Sequence, residues 1–247
     1  MDLKNALEKF ISFADGNWVA IHNLIGYGKD GVNKYSPWSV TICDSWQGRM
    51  SWFDVCNSQT LGECFSGFYS VFKDPEMSET IRKALYWYLR SNRSSSGIDG
   101  GIILSHSALE RISNGVIEKY KISLPSKQKP TAADKIRAAA TYLDIPIVIG
   151  KNNGLIYKLK KKHIWSDIPD ALNKFRNELV HPKQKLSIDR HELMAPIWSL
   201  AQWLIEMFML KLSNFNGVYS NRLKKSLWKG EVENVPWIKL KNITKKP

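Results

Sequence analysis

The spacing of apolar positions changes near residue 75, and the change divides the chain into two unequal parts. Leu3, Leu7, Phe10, Ile11 and Ala14 recur at the intervals of one helix face, which predicts an N-terminal helix. The runs that follow are short and rich in β-branched or aromatic residues: Trp18-Val19-Ala20-Ile21, Trp38-Ser39-Val40-Thr41-Ile42 and Met50-Ser51-Trp52-Phe53-Asp54-Val55. Gly26, Gly28, Gly31, Pro37 and Gly48 separate them. Residues 1–75 are therefore expected to form a small α+β N-terminal portion.

From residue 76 the helical period dominates. Asp74-Pro75-Glu76 reads as a helix start, followed by the stripe Ile81, Ala84, Leu85, Tyr88 and Leu89 and a stop in the loop Arg93-Ser94-Ser95-Ser96-Gly97. Ile102 to Ile117 is a second helix and Thr131 to Leu143 a third, ended by Pro146. Val148 to Lys160, with its Asn152-Asn153-Gly154 turn, reads as a short hairpin or an irregular connector. A fourth helix begins at the Ser166/Asp167 cap with Pro169 and ends at His181, because Pro182 excludes its predecessor from helical dihedrals. A long fifth runs from about Ile188 to Leu212, with Pro196 either a kink or the true first turn. The fold class this predicts is mainly α, a bundle of four or five helices over residues 76–247 ending in a basic tail.

Composition narrows the classes. The chain has 247 residues, 43% of them hydrophobic and 24% charged, which is ordinary globular usage and excludes disorder, collagen and coiled coil. The charge is less ordinary: 36 Lys+Arg against 23 Asp+Glu give +13, which favours a polyanionic partner such as nucleic acid or an anionic membrane surface. Cys43, Cys56 and Cys64 form no C-x-x-C pair, so neither a disulfide framework nor a four-cysteine zinc site is expected, and a reducing, cytoplasmic setting fits. With Asp2 and Glu8 among the first residues and no continuous apolar run or small-residue cleavage site, no signal peptide is expected at the N-terminus. Gln202, Glu206 and Lys211 interrupt the most apolar stretch, Met194 to Leu212, so it reads as a buried helix rather than a spanning one.

The segment with most chemistry in it is Phe175-Arg176-Asn177-Glu178-Leu179-Val180-His181-Pro182-Lys183. Asn177 and His181 share a helix face, whereas Arg176 lies about 140° away from His181 at roughly 100° per residue. The proline lets His181 leave the helix and turn its imidazole toward the guanidinium side. That place, at the negative end of the helix dipole, favours an imidazolium, and histidine serves as acid or base near neutrality. Arg176 suits bidentate phosphate binding and Asn177 can orient imidazole or ribose. The same residues also fit a plain helix end, with His181 capping orphan carbonyls.

Arg176-Asn177-Glu178-Leu179-Val180-His181 resembles the R-x(4-6)-H signature of HEPN ribonucleases, in the form with a polar residue after the arginine. Ala84 to Arg90, Ser107 to Glu110, Leu143 to Pro146 and Gly217 to Leu223 surround it in an order that resembles the HEPN portion of ApeA-type phage-defence (anticodon) nucleases, over about residues 65–240. The resemblance implies a metal-independent endoribonuclease without cofactors, acting as a homodimer with one motif from each copy at a shared cleft. It implies catalytic roles for Arg176, Asn177 and His181, RNA as substrate, tRNA among the candidates, and a role in antiphage defence or as a toxin, with room for a regulatory partner or antitoxin. The alternative is a catalytically silent HEPN-like module that binds RNA or a partner through the same face. A purely structural bundle is the third reading.

Lys174, Lys183 and Lys185 bracket the motif and are candidate RNA contacts or a solvated rim. Lys158, Lys160, Lys161 and Lys162 form a second basic block, which reads equally as an RNA contact or as lysines blunting a hairpin edge. His106, on an apolar helix, is expected to be a core histidine that could approach the motif. His22, His163 and His191 lack metal-ligand spacing. Most of the ten tryptophans fall on apolar helix faces and are expected in the core. Gly26-Tyr27-Gly28-Lys29-Asp30-Gly31 lacks P-loop spacing, so no nucleotide triphosphatase is implied.

Overall fold

The computed structural model describes residues 2–37, 43–45, 47–48, 50–93, 96–124, 129–162, 164–181, 190–224 and 228–238, apart from the side chains of Asp2 and Asn152. Among these residues the chain is mainly α. The helices are α1 (Asp2–Asp15), α2 (Gln59–Lys73), α3 (Ser78–Ser91), α4 (Gly97–Tyr120), α5 (Ala132–Tyr142), α6 (Leu155–Lys161), α7 (Ile168–Val180) and α8 (Arg190–Leu212). Two small antiparallel ribbons accompany them. β1 (Gly26–Tyr27) pairs with β2 (Asn33–Tyr35), and β3 (Val218–Tyr219) with β4 (Glu233–Asn234), in the register Val218 opposite Asn234.

The helix starts and stops read from the sequence hold where a side chain fixes them. Thr131 and Asp134 form a reciprocal capping box on α5. Asp167 caps α7 by accepting from the Asp170 amide at 2.9 Å, with a proline in the first turn. His181 leaves α7 with φ −117° and ψ 100°, the extended conformation its following proline demands. α4 begins at Gly97, ahead of the expected Ile102.

Other expectations are corrected. Trp18 to Ile21 and Met50 to Val55 are not strands; the ribbon forms instead across the glycine-rich turn, and a 3-10 turn covers Val55–Asn57. Trp38 to Ile42 lies outside the described residues. α2 was not expected, although Thr60, Cys64, Phe68 and Phe72 are its buried stripe at four-residue intervals. Val148 to Lys160, expected as a short hairpin or an irregular connector, is neither of these: a 3-10 turn, Lys151–Asn153, runs into α6, so no hairpin edge exists there for the lysines to blunt. Gly154, at φ +54°, makes the turn as anticipated, but a helix follows it. Pro196 lies inside α8, beyond its first turn.

α8 is the centre of the bundle. Its residues from Leu200 to Leu210 are buried on every face, against α4 along its length and against α2, α3, α6 and α7. Its length and apolarity would suffice to cross a membrane; here most of it is covered by neighbouring helices, as a core helix is. At its end α2 comes so close that a Cβ on Gly67 would lie 1.7 Å from the Ser213 carbonyl oxygen. The core continues into α1, where Phe10 and Phe13 pack with Trp52, Phe68 and Tyr88. Asn92 donates to the Gly16 carbonyl at 3.1 Å and the Ser220 amide to the Trp52 carbonyl at 2.7 Å, so the N-terminal segment is stitched to both the bundle and the C-terminal segment.

Among the buried polar groups, two clusters join different helices. In the first, the Gln202 amide nitrogen on α8 donates to Ser91 Oγ (2.7 Å) and Ser105 Oγ (2.8 Å), and the Trp198 indole donates to Ser91 Oγ at 2.9 Å. In the second, Arg222 Nη2 and Nε donate to the two oxygens of Glu206 at 2.5 and 3.1 Å, the Tyr88 hydroxyl donates to Glu206 at 2.7 Å, and Arg222 Nη2 reaches the Met50 carbonyl at 2.6 Å. The side chains of Arg222 and Glu206 are 2% and 0% exposed. Burial, reinforced by the Glu206 charge, raises the Tyr88 pKa well above its ordinary value. A pair this deep contributes little net stability over an apolar substitute, but removing one partner strands a charge in the core. Arg222→Met is therefore expected to cost about 3–5 kcal/mol in denaturant unfolding, and Arg222→Met with Glu206→Leu to recover most of it. A single-variant loss below about 1 kcal/mol would contradict this.

Candidate active site

α7 is held at its start by a fork. Arg137 of α5 donates through Nε and Nη2 to the two oxygens of Asp167, at 2.6 and 3.2 Å, and through Nη1 to Asp134 at 2.7 Å. Ile168, Ala171, Leu172 and Phe175 bury the inner face of α7 against the bundle. The last turn is therefore fixed in direction, and it presents three consecutive polar residues.

Arg176 is partly exposed. Its Nη1 donates to Asn177 Oδ1 at 3.2 Å, and no carboxylate pairs with it among the described residues. Its Nε is buried without a hydrogen-bond partner among the described residues. Asn177 is partly exposed, and Glu178 turns inward, 5% exposed, toward Arg190 at the start of α8, 3.8 Å away. His181 is exposed just past the helix, its amide still bonded to the Asn177 carbonyl at 2.8 Å. Among the described residues the guanidinium and imidazole make no direct hydrogen bond with each other.

His106, from α4, is where the core meets this site. It is 3% exposed, and its Nε2 is buried without a partner among the described residues. Burial, and after it the Arg176 guanidinium, push its pKa down to about 4, against a smaller opposing effect of Asn173. The imidazole is thus neutral at pH 7, and the expectation of a core histidine approaching the motif is met. Nothing in the spacing of His106 and Arg176, seventy positions apart, could have paired them; α4 and α7 pack to do so.

The other candidates are dispersed. Lys174 is exposed but tied to Asp170 at 3.1 Å and to the Ile164 carbonyl at 2.9 Å. Lys183 and Lys185 lie outside the described residues, as do His163 and residues 239–247 of the basic tail. Lys158, Lys161 and Lys162 are exposed around the C-terminal end of α6, where the helix dipole favours cations. Lys160 is partly buried, its Nζ 3.5 Å from the Ile149 carbonyl, and Lys161 lies over the Tyr157 ring.

A mainly-α bundle with a polar helix end at its surface is thus the class of protein defined here. The chain belongs to the YopA C-terminal domain family, whose model matches residues 74–234, from the turn before α3 to the end of β4. It is similar to the SPbeta prophage-derived uncharacterized protein YopA of Bacillus subtilis (strain 168), with 29% identity over 238 residues. That alignment covers 95% of this chain and 53% of the relative, so the chain spans about half the relative's length. No solved structure matches it.

The low pKa of His106 has a thermodynamic consequence. The unfolded chain protonates this histidine near 6.5 and the folded chain only near 4, so the unfolded state binds more protons between those values. Its contribution is complete above pH 6.5 and is lost as pH falls toward 4, by about 3 kcal/mol at most. Unfolding free energies measured across this window should fall less steeply for His106→Leu than for the parent. Parallel curves would contradict the burial of a neutral imidazole.

Proposed function

We propose that this protein is an endoribonuclease of the HEPN type, with Arg176, Asn177 and His181 as its catalytic residues. The observation that carries the reading is a guanidinium with no carboxylate partner among the described residues, flanked by a neutral histidine and an amide, five residues before an exposed imidazole. Such a site holds a positive charge that nearby groups do not cancel, and a phosphodiester supplies the missing anion.

In the reaction, His181 withdraws the proton from a ribose 2'-hydroxyl or protonates the departing 5'-oxygen. The 2'-oxygen forms a bond to phosphorus as the bond from phosphorus to the 5'-oxygen breaks, leaving a 2',3'-cyclic phosphate and a 5'-hydroxyl. Arg176 stabilises the negative charge that accumulates on the phosphoryl oxygens, and Asn177 holds Arg176 through Nη1. No metal takes part in these steps. Two copies related by a twofold axis would place two motifs on one groove, the arrangement expected from the resemblance. The prophage origin of the YopA relative supports a phage-related setting; antiphage defence or a toxin role, with tRNA among the substrates, is what the HEPN resemblance adds to it.

A second reading, RNA binding without cleavage, is favoured by the lack of a direct bond between Arg176 and His181. Purified protein incubated with RNA in EDTA separates the two. Cleavage products are expected, reduced about 10²–10⁴-fold by His181→Ala and about 10²–10³-fold by Arg176→Ala. RNA binding without products would establish the second reading, and cleavage by both variants at the rate of the parent would overturn the first.

A further inference from the structure

Away from α7, a groove of about 210 Å³ opens between the loop after α1 and the outer face of α3, lined by Trp18, Asp44, Tyr86, Leu89, Arg90 and Arg93. Contrary to the expectation that most tryptophans lie in the core, among the described ones only Trp52, Trp165 and Trp203 are buried. Trp18 is only partly buried and Tyr86 is 41% exposed; their rings meet edge to face at 6.0 Å and 84°. The buried Leu89 is part of its apolar lining.

Cations surround these rings. Lys9 Nζ stands 3.6 Å from the Trp18 ring centroid. The Arg90 guanidinium lies 5.7 Å from the Tyr86 centroid, too far for close stacking, and no carboxylate holds it among the described residues. Arg93 pairs with Asp44 at 3.2 Å, while the other oxygen of Asp44 accepts from the Trp18 amide at 3.1 Å. Asp44 thereby pins the Trp18 backbone and orients Arg93; Glu8 acts on Lys9, and Arg90 is the groove cation left without a carboxylate among the described residues.

We propose that this groove is a single-stranded RNA contact, in which one nucleobase lies against Tyr86 and Trp18 and the flanking phosphates meet Arg90 and Arg93. The charge surplus selects an anion, and an aromatic wall beside a cavity of base size selects a flat ring over an acidic side chain. Asp44 lies where it can accept a hydrogen bond from a base N–H. The inference deepens the nuclease reading, resting on it for RNA as the polymer, and it adds a contact outside the catalytic residues.

Binding without turnover tests it. The full chain carrying Arg176→Ala and His181→Ala is titrated with a labelled single-stranded RNA of mixed sequence, followed by fluorescence anisotropy at several salt concentrations. Adding Tyr86→Ala should weaken binding about tenfold, whereas Tyr86→Phe should restore it, since stacking needs the ring and not the hydroxyl. Arg90→Gln should lower the slope of log affinity against log salt by about 0.7, the effect of one lost phosphate contact on a single strand. Unchanged affinity in Tyr86→Ala together with an unchanged salt slope in Arg90→Gln would overturn the proposal. So would equal binding of a polyglutamate peptide, or tighter binding of a free mononucleotide than of the RNA. Cleavage by the parent chain alongside unaltered binding by these variants would sink this inference alone. Binding that depends on Tyr86 in a chain that cuts nothing would sink only the nuclease reading.

Discussion

A carboxylate in the middle of an apolar helix sets the terms for this fold. Glu206 is fully buried on α8, and a lone charge there would prevent the helix from packing. Arg222 answers it from the C-terminal segment, Tyr88 from α3, and the same guanidinium satisfies the Met50 carbonyl of the N-terminal segment. Burial is the largest single influence on Arg222 and lowers its pKa, but the Glu206 charge, Tyr88 and the hydrogen bonds to both together raise it above the ordinary value. Four stretches distant in sequence must therefore arrive together for α8 to be buried at all. The pair selects one arrangement of the bundle more than it adds to its stability.

With α8 fixed, the helices around it acquire defined roles. α4 packs against it on one side and carries His106 outward to α7; α5 holds the beginning of α7 through the Arg137 fork. The chemistry proposed for α7 depends on this rigidity, since a helix anchored at its first turn delivers its last turn to a constant place. It also depends on a buried histidine that stays neutral, leaving the charge on Arg176 uncancelled and unrepelled at neutral pH. At the Trp18 and Tyr86 groove, Arg90 likewise has no carboxylate among the described residues and stands beside aromatic rings.

Local signals carried much of this into the sequence. α5 and α7 were legible because their caps are side chains at fixed offsets, Thr131 with Asp134 and Asp167 with Pro169, and because Pro182 dictates the conformation of His181. α2 was less legible, since its stripe of Thr60, Cys64, Phe68 and Phe72 is built from residues with weak helix propensity and sits among aromatic runs that mimic strands. α6 was hidden by a genuine turn at Gly154 that opens a helix instead of a hairpin. Trp52 lies in a run that alternates like a strand, yet its ring fills the core from an irregular segment. The pairings of Arg222 with Glu206 and of His106 with Arg176 had no sequence signal, because they exist only once distant helices meet.

In the proposed reaction the ribose itself supplies the nucleophile, activated at the end of α7. The most direct measurement uses an RNA that the protein cuts at one position, resynthesised with a single 2'-deoxyribose on the 5' side of that bond. Cleavage there should vanish while the oligonucleotide still binds. A cut persisting at the deoxy position would contradict the claim, because its nucleophile would have to come from elsewhere.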